Sequence, residues 1–188
     1  MRRVILDYEA GTWGRGTLVV EDRRLVHHEL PRPRPSSPVS ASIPNDPQGI
    51  PEIPVQSVSS AGESECAESV PILLAHRLTR RLSSYFAGAE DGFDDVELDL
   101  EWCTTFQHAV VDALRTVPRG EVVTYGELAA LAGHPGAQRA AGSFCACNPF
   151  PILVPCHRVV AASGLGSYGS LGVAYKRRLL ELEGAVLG

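Results

Sequence analysis

The stretch from Pro31 to about Ser69, PRPRPSSPVSASIPNDPQGIPEIPVQSVSSAGESECAES, sets the first limit on any fold this chain can adopt. Proline fixes its own φ and offers no backbone donor, and the block is too poor in large apolar side chains to bury a core. It predicts a long, mostly mobile insertion over 31–69, so the folded structure must be built from the residues on either side. With 188 residues and 44% hydrophobic content, those flanks suffice for one domain or two small ones.

Ahead of the block, VILDY, TLVV and RLVHHEL are short β-rich stretches, and Gly11, Gly14 and Gly16 punctuate the first turn; together they predict a small antiparallel sheet. Behind it, Ile72, Leu73, His76, Leu78 and Leu82 recur at helical spacing in VPILLAHRLTRRLSSYFAG, which predicts one amphipathic helix ending near Gly88. VELDL predicts a strand. CTTFQHAVVDALRTV then puts Phe106, Val110, Ala113, Leu114 and Val117 on one helical face, stopped by Pro118. A helix pair follows: Thr124 is placed to cap YGELAALAG, Gly133-His134-Pro135-Gly136 is a turn, and AQRAAGSFCAC is the second helix. This is the shape of a helix-turn-helix and equally of an ordinary packed pair. Ala137, Ala140, Ala141 and Gly142 would let the second helix approach another surface, or its own neighbour, closely.

No apolar run approaches the roughly 20 residues that span a bilayer, and MRRVILDYEA carries polar and acidic residues where a signal peptide is apolar. The expectation is an intracellular protein, cytoplasmic and nucleoid-associated in a prokaryote or nuclear in a eukaryote. Five cysteines, Cys66, Cys103, Cys145, Cys147 and Cys156, form no paired pattern, which speaks against a disulfide framework. Cys145 and Cys147 make C-x-C with no second cluster, so neither a metal nor another cofactor is expected. The net charge of −5 is unevenly spread: six basic against four acidic side chains follow Pro118, leaving −7 on the first 117 residues. A mildly basic second part is compatible with a face that meets phosphate.

Asn148-Pro149-Phe150-Pro151-Ile152-Leu153-Val154-Pro155-Cys156-His157-Arg158-Val159-Val160 carries the chemistry. Two apolar runs flank a Pro-Cys-His-Arg turn, which forces a cysteine and a histidine to adjacent buried positions. A lone cysteine in such surroundings is usually inert core. A free thiol titrates near ~8.5, so a nucleophile at neutral pH needs a base or a positive neighbour, and His157 and Arg158 are candidates. Adjacent residues on an extended chain point to opposite sides, so a bridging water or a sharp turn is required between thiol and imidazole. Glu181 and Glu183, near the end of KRRLLELEG, are the candidate acceptors to orient the imidazole.

PCHRVV, preceded by NPFPILV and followed by SGLGSYGSLGVAYKRRLLELEG, closely resembles the active-site region of the O6-alkylguanine-DNA alkyltransferases. The resemblance runs upstream through FQHAVVDALRTVPRGEVVTYGELAALAGHP and AQRAAGSFCACNP, covering roughly residues 102–184. It implies that Cys156 is the alkyl acceptor, His157 a water-linked base, Glu183 the carboxylate that orients it, and Asn148 the hinge between recognition helix and active site. It further implies that Arg139 enters the base stack and that Tyr125 helps turn the nucleotide out and bonds to the purine. Tyr168 would wall the guanine pocket, with Val159, Arg158, Gly169 and Ser170 also contributing, and Thr124, Ala137, Ala140 and Gly142 would lie against DNA. The implied partner is double-stranded DNA containing O6-alkylguanine, met by a monomer without a membrane, and O4-alkylthymine is left open as a second substrate. The implied reaction is a single, irreversible alkyl transfer. The Pro/Ser-rich block is long for this family, and the zinc ligands of some members have no match here.

The fold class expected is an α/β N-terminal domain over 1–98, a small antiparallel sheet with a helix, followed by a mainly α domain over 99–188 with a helix-turn-helix. Three rival readings make distinct predictions. A lesion sensor of the same family would lack the acceptor cysteine that is present here. A cysteine hydrolase using Cys156, His157 and Glu183 would turn over esters or amides. A transcription regulator would read a DNA sequence and leave PCHR unexplained.

Overall fold

The computed structural model describes residues 2–33 and 64–186, with side chains of the first helix described from Val70 onward. Strands β1 (Arg3–Glu9), β2 (Arg15–Glu21) and β3 (Arg24–Arg32) form the expected antiparallel sheet in the order β1-β2-β3. Tyr8, Leu18, Val20, Leu25 and Leu30 turn inward, each less than a tenth exposed. Gly16 faces Tyr8 in the register, and a Cβ there would lie 2.5 Å from the tyrosine ring, so this position must lack a side chain.

Helix α1 (Ser64–Phe86) covers the inner face of the sheet and contains Pro71. It begins within the block expected to be an insertion, so that expectation is corrected at its C-terminal end; residues 34–63 lie outside the described residues. Its buried face is only partly the one expected, with Leu78 and Leu82 buried as the spacing predicts. Ile72 and Leu73 are exposed at 47% and 65%, and His76 is exposed too, while Ala75, Leu78, Leu82 and Tyr85 are fully buried at spacings of three and four.

VELDL does not form a strand. Leu98 makes one isolated bridge to Leu25, with Leu25 N donating to Glu97 O and Asp99 N to Leu25 O, each at 2.9 Å. Val96 and Leu98 are buried, and the end of the segment is held by a side chain, with Arg24 Nη1 of β3 donating to Glu101 Oε1 at 2.6 Å.

Helix α2 (Thr105–Thr116) buries Val110, Val111, Ala113 and Leu114, and a reciprocal capping box between Thr104 and Gln107 starts it. Strand β4 (Val123–Thr124) pairs in parallel with β5 (Val159–Val160). Helix α3 (Tyr125–Leu131) is capped by Thr124 through a second box with Glu127, α4 (Gln138–Cys147) follows the turn, and α5 (Gly172–Leu182) closes the chain. One continuous cluster of buried side chains runs from the sheet and α1 through α2, α3 and α4 to Phe150, Ile152, Leu153, Val154, Val159 and Leu179. Further contacts join the ends: Arg178 stacks 3.7 Å from the Trp13 ring centroid, and the Tyr175 hydroxyl donates to Pro31 O at 2.9 Å. Among the described residues no helix is long and apolar enough to cross a membrane.

Candidate active site

Helix α4 ends on Asn148, and the chain then turns back through an apolar loop to Cys156. Asn148 organises that turn. Its Oδ1 accepts from Phe150 N at 3.0 Å, while Nδ2 donates to Val154 O at 2.7 Å and to Cys156 Sγ at 3.2 Å. Asn148 thus ties the turn through two backbone hydrogen bonds, and its direct bond to the thiol was not legible in the sequence. Ile152 sits at φ 74°, the left-handed region that a β-branched side chain avoids, so the loop holds strain that its surroundings must offset.

Cys156–Arg158 form a single 3-10 turn, not the extended segment that would have sent neighbouring side chains to opposite sides. Cys156 is 5% exposed. Burial pushes its thiol up, against the lowering influence of Asn148, the Tyr168 hydroxyl and the Lys176 ammonium. Lys176 is itself fully buried and donates to Val159 O and Leu165 O, both at 2.6 Å; desolvation lowers its pKa. The Tyr168 hydroxyl is buried without an aligned partner, and its proximity to the thiol and burial hold it well above the ordinary phenol range.

His157 is fully buried. Its Nε2 lies 3.1 Å from Glu183 Oε1, within ion-pair reach though off the line of a hydrogen bond, and Nδ1 has no protein partner. Desolvation lowers the imidazole pKa against the pull of Glu183. Burial alone would raise Glu183, but His157 and Arg158 hold it well below the usual carboxylate range. Arg158 donates Nε to Oε2 at 2.9 Å and Nη2 to Oε1 at 2.7 Å, with Nη1 on Val117 O at 2.6 Å, and the Tyr85 hydroxyl adds 2.6 Å to Oε1. Since a carboxylate only accepts, the imidazole proton belongs on Nε2, which leaves the Nδ1 lone pair free to take a proton. Glu181, the other candidate, is exposed.

Two cavities meet at Cys156. One, of about 370 Å³, lies between β3 and the loop of Gly169, Ser170 and Leu171, with Asn148, Cys145 and Tyr168 in its wall. The other, of about 40 Å³, is walled by Tyr125, Gly142, Cys145, Tyr168 and Gly169. Arg158 and Val159 line neither cavity: the Arg158 guanidinium donates to Glu183, and the Val159 carbonyl accepts from Lys176. Ser170 Oγ accepts from Arg32 at 3.3 Å. Arg139 and Ala140 are exposed on α4, Ala137 is half-buried at its start, and Gly142 faces the half-buried Tyr125 ring. Thr124 is occupied as the cap of α3.

Sequence reasoning missed three side chains. Tyr85 is 98 positions from Glu183 and carries no local signal. Lys176 was readable, since it shares the buried face of α5 with Leu179, Leu180 and Glu183 at steps of three, four and seven. His28 is considered below. Among the described residues no three His, Cys, Asp or Glu side chains converge as a metal site requires. The chemical capacity is that of a shielded thiol with an imidazole base beside it and a fixed anion behind the base.

A family model described as the 6-O-methylguanine DNA methyltransferase DNA binding domain matches residues 105–185. A methylated-DNA–protein-cysteine methyltransferase of Methanothermobacter thermautotrophicus is 39% identical over 120 residues, 64% of this chain and 67% of that protein. One from Mycobacterium tuberculosis is 54% identical over 104 residues, 55% of this chain, and the aligned part spans 61% of that relative's length. The crystal structure of Mycobacterium tuberculosis OGT in complex with DNA superposes with a TM-score of 0.65 at 35% identity, covering 98% of this chain and 93% of that one.

Proposed function

This chain belongs to the methylated-DNA–protein-cysteine methyltransferase family, and from that premise we propose that it repairs DNA by moving the alkyl group of O6-alkylguanine onto Cys156. The observation that carries this reading is the buried Cys156 thiol, held 3.2 Å from Asn148 where two cavities meet, one of them walled by Tyr125 and Gly142 of the helix pair.

In this reading residues 1–98 form a supporting α/β domain and 99–188 carry α3 and α4 as a helix-turn-helix. The protein acts as a monomer on duplex DNA. Helix α4 enters the minor groove, where Arg139 takes the place of the departing base and the small side chains at 137, 140 and 142 admit the backbone. Flipping costs a few kcal/mol, least for a weakened pair, so part of the selectivity precedes chemistry. Minor-groove reading is nearly sequence-blind, which suits a lesion that can occur anywhere.

The thiol proton leaves through a water to His157 Nδ1, and Glu183, kept ionised by Arg158, stabilises the imidazolium. Sγ then forms a bond to the alkyl carbon as the carbon–O6 bond breaks. Guanine departs with the electron pair on O6 and is neutralised by a proton from Tyr125 near N3, and the proton held on His157 returns through solvent to the Tyr125 oxygen, so the thiol proton ends on the released guanine. Water cannot displace the resulting thioether, so each molecule acts once. Arg158 serves here as the counter-ion that keeps Glu183 charged.

The test is intact-protein mass after incubation with a duplex carrying one O6-methylguanine, beside Cys156→Ala. One added methyl that saturates at one per molecule and disappears in the variant is the expected result. An unchanged mass in folded protein would defeat the repair reading. A duplex with O4-methylthymine, run in parallel, decides the second substrate.

A further inference from the structure

We propose that Tyr8 and His28, from the N-terminal sheet, are a positioning pair for the acceptor thiol: they clamp the strained turn through which Asn148 holds Cys156. The rate measurement below rests on the alkyl-transfer reading; the thiol measurement does not.

His28 is 1% exposed on β3, and its main-chain N–H and both ring nitrogens meet the Asn148–Ile152 turn or Tyr8. Its main-chain N–H donates to Pro149 O at 2.9 Å, and its ring Nδ1 lies 2.7 Å from Pro151 O. A carbonyl only accepts, so Nδ1 carries the hydrogen. Burial lowers this imidazole to about 4, which leaves it neutral at physiological pH, and Nε2 must then accept from the Tyr8 hydroxyl 2.6 Å away. Gly16 leaves the room in which the Tyr8 ring reaches it.

The turn needs this help for a reason written in its sequence. Pro149, Pro151 and Pro155 bring no N–H to this segment, which leaves it short of donors for its own carbonyls, and His28 supplies one each to Pro149 O and Pro151 O from more than a hundred positions away. Between them Phe150 N is held by Asn148, and Ile152 immediately after is the left-handed residue. A strained backbone persists only where its neighbours over-determine it. Asn148 does so from within the loop and His28 from outside it, and the same Asn148 amide meets Sγ.

The experiment uses the full chain with His28→Leu, His28→Asn and Tyr8→Phe. It follows three quantities: single-turnover methyl transfer from the O6-methylguanine duplex, duplex affinity, and modification of Cys156 by methyl methanethiosulfonate mapped by mass. His28→Leu should slow transfer by about tenfold or more and speed thiol modification, at unchanged duplex affinity, because a sub-ångström shift of the nucleophile costs rate rather than binding. His28→Asn, whose amide N–H replaces Nδ1–H towards Pro151 O, should recover transfer to within about threefold of the parent, the loss of one modest hydrogen bond. Wild-type values for His28→Leu in both assays, or an equal loss in His28→Asn, would overturn the clamp. If His28→Leu does not fold by circular dichroism, Tyr8→Phe decides, since it removes one oxygen: slower transfer with native ellipticity supports the pair and an unchanged rate refutes it. A parent protein that transfers no methyl would defeat the repair reading instead, and thiol modification alone then judges the clamp.

Discussion

At the scale of single residues, the site is governed by buried groups whose charge state is set by one partner. Glu183 is ionised because Arg158 grips both of its oxygens, so Arg158→Met leaves a buried carboxylate facing only Tyr85 and His157. Breaking one side of a buried pair costs about 3–5 kcal/mol, and urea unfolding of the variant should show a loss of that order. His28 behaves oppositely: its folded pKa of about 4 lies below the ordinary 6.5, so the unfolded chain binds the proton more readily. Stability from this residue is complete above pH 6.5 and is lost as pH falls from 6.5 through 4, a change of about 3 kcal/mol for a fully buried group. His157 and Glu183 add losses of the same sign, so the measurement is the difference between the parent and His28→Asn in urea midpoints from pH 7.5 to 4. Parallel curves would refute the assignment. Cys156, His157, Asn148 and Glu183 were legible because they lie in one ordered motif, whereas His28 and Tyr85 reach the site only through tertiary contacts that no local pattern encodes.

Among the elements, those whose ends are fixed by local chemistry were the most readable. Thr124 caps α3 through a box that closes within four residues, and α2 uses the same device at Thr104. VELDL was misread because buried alternate residues were taken as a ladder, and part of the face of α1 because hydrophobicity was taken as burial. Val96 and Leu98 are buried yet form only one isolated bridge, and on α1 the smaller Ala75 is buried while Ile72 and Leu73 are not. Helix α4 allows a separation of stability from function. A Cβ at Gly142 would lie 3.7 Å from the Tyr125 ring, an ordinary contact, so nothing inside the protein demands glycine. Gly142→Ala should raise stability by about 0.5–1 kcal/mol, the usual gain in a helix interior. If α4 lies against the DNA backbone, the same variant should bind duplex more weakly. Higher melting temperature with lower affinity in a fluorescence-anisotropy titration supports that placement; equal affinity removes Gly142 from the interface.

For the whole molecule, the question is whether the two halves expected from the sequence behave as separate units. The sequence suggests a division between 98 and 99 because the family resemblance covers only about residues 102–184, with a sheet and a helix ahead of it. It cannot report what later packs across that division. The buried cluster is continuous from Leu18 and Leu82 to Leu153 and Leu179, and Tyr85 of α1 bonds to Glu183, Tyr175 to Pro31 and His28 to Pro151. Losing the sheet together with α1 would therefore strip Glu183 of one donor and the acceptor loop of its outside support at once. Such shared contacts make unfolding cooperative. Trp13, 4% exposed in the N-terminal half, and the Cys156 thiol, 5% exposed in the C-terminal half, report on the two sides independently. In a Trp102→Phe background, which leaves Trp13 as the only tryptophan, urea titration should give the same midpoint for Trp13 fluorescence and for Cys156 modification. An earlier Trp13 transition with the thiol still protected would mean that the sheet is a detachable domain and that the acceptor loop holds its own strain.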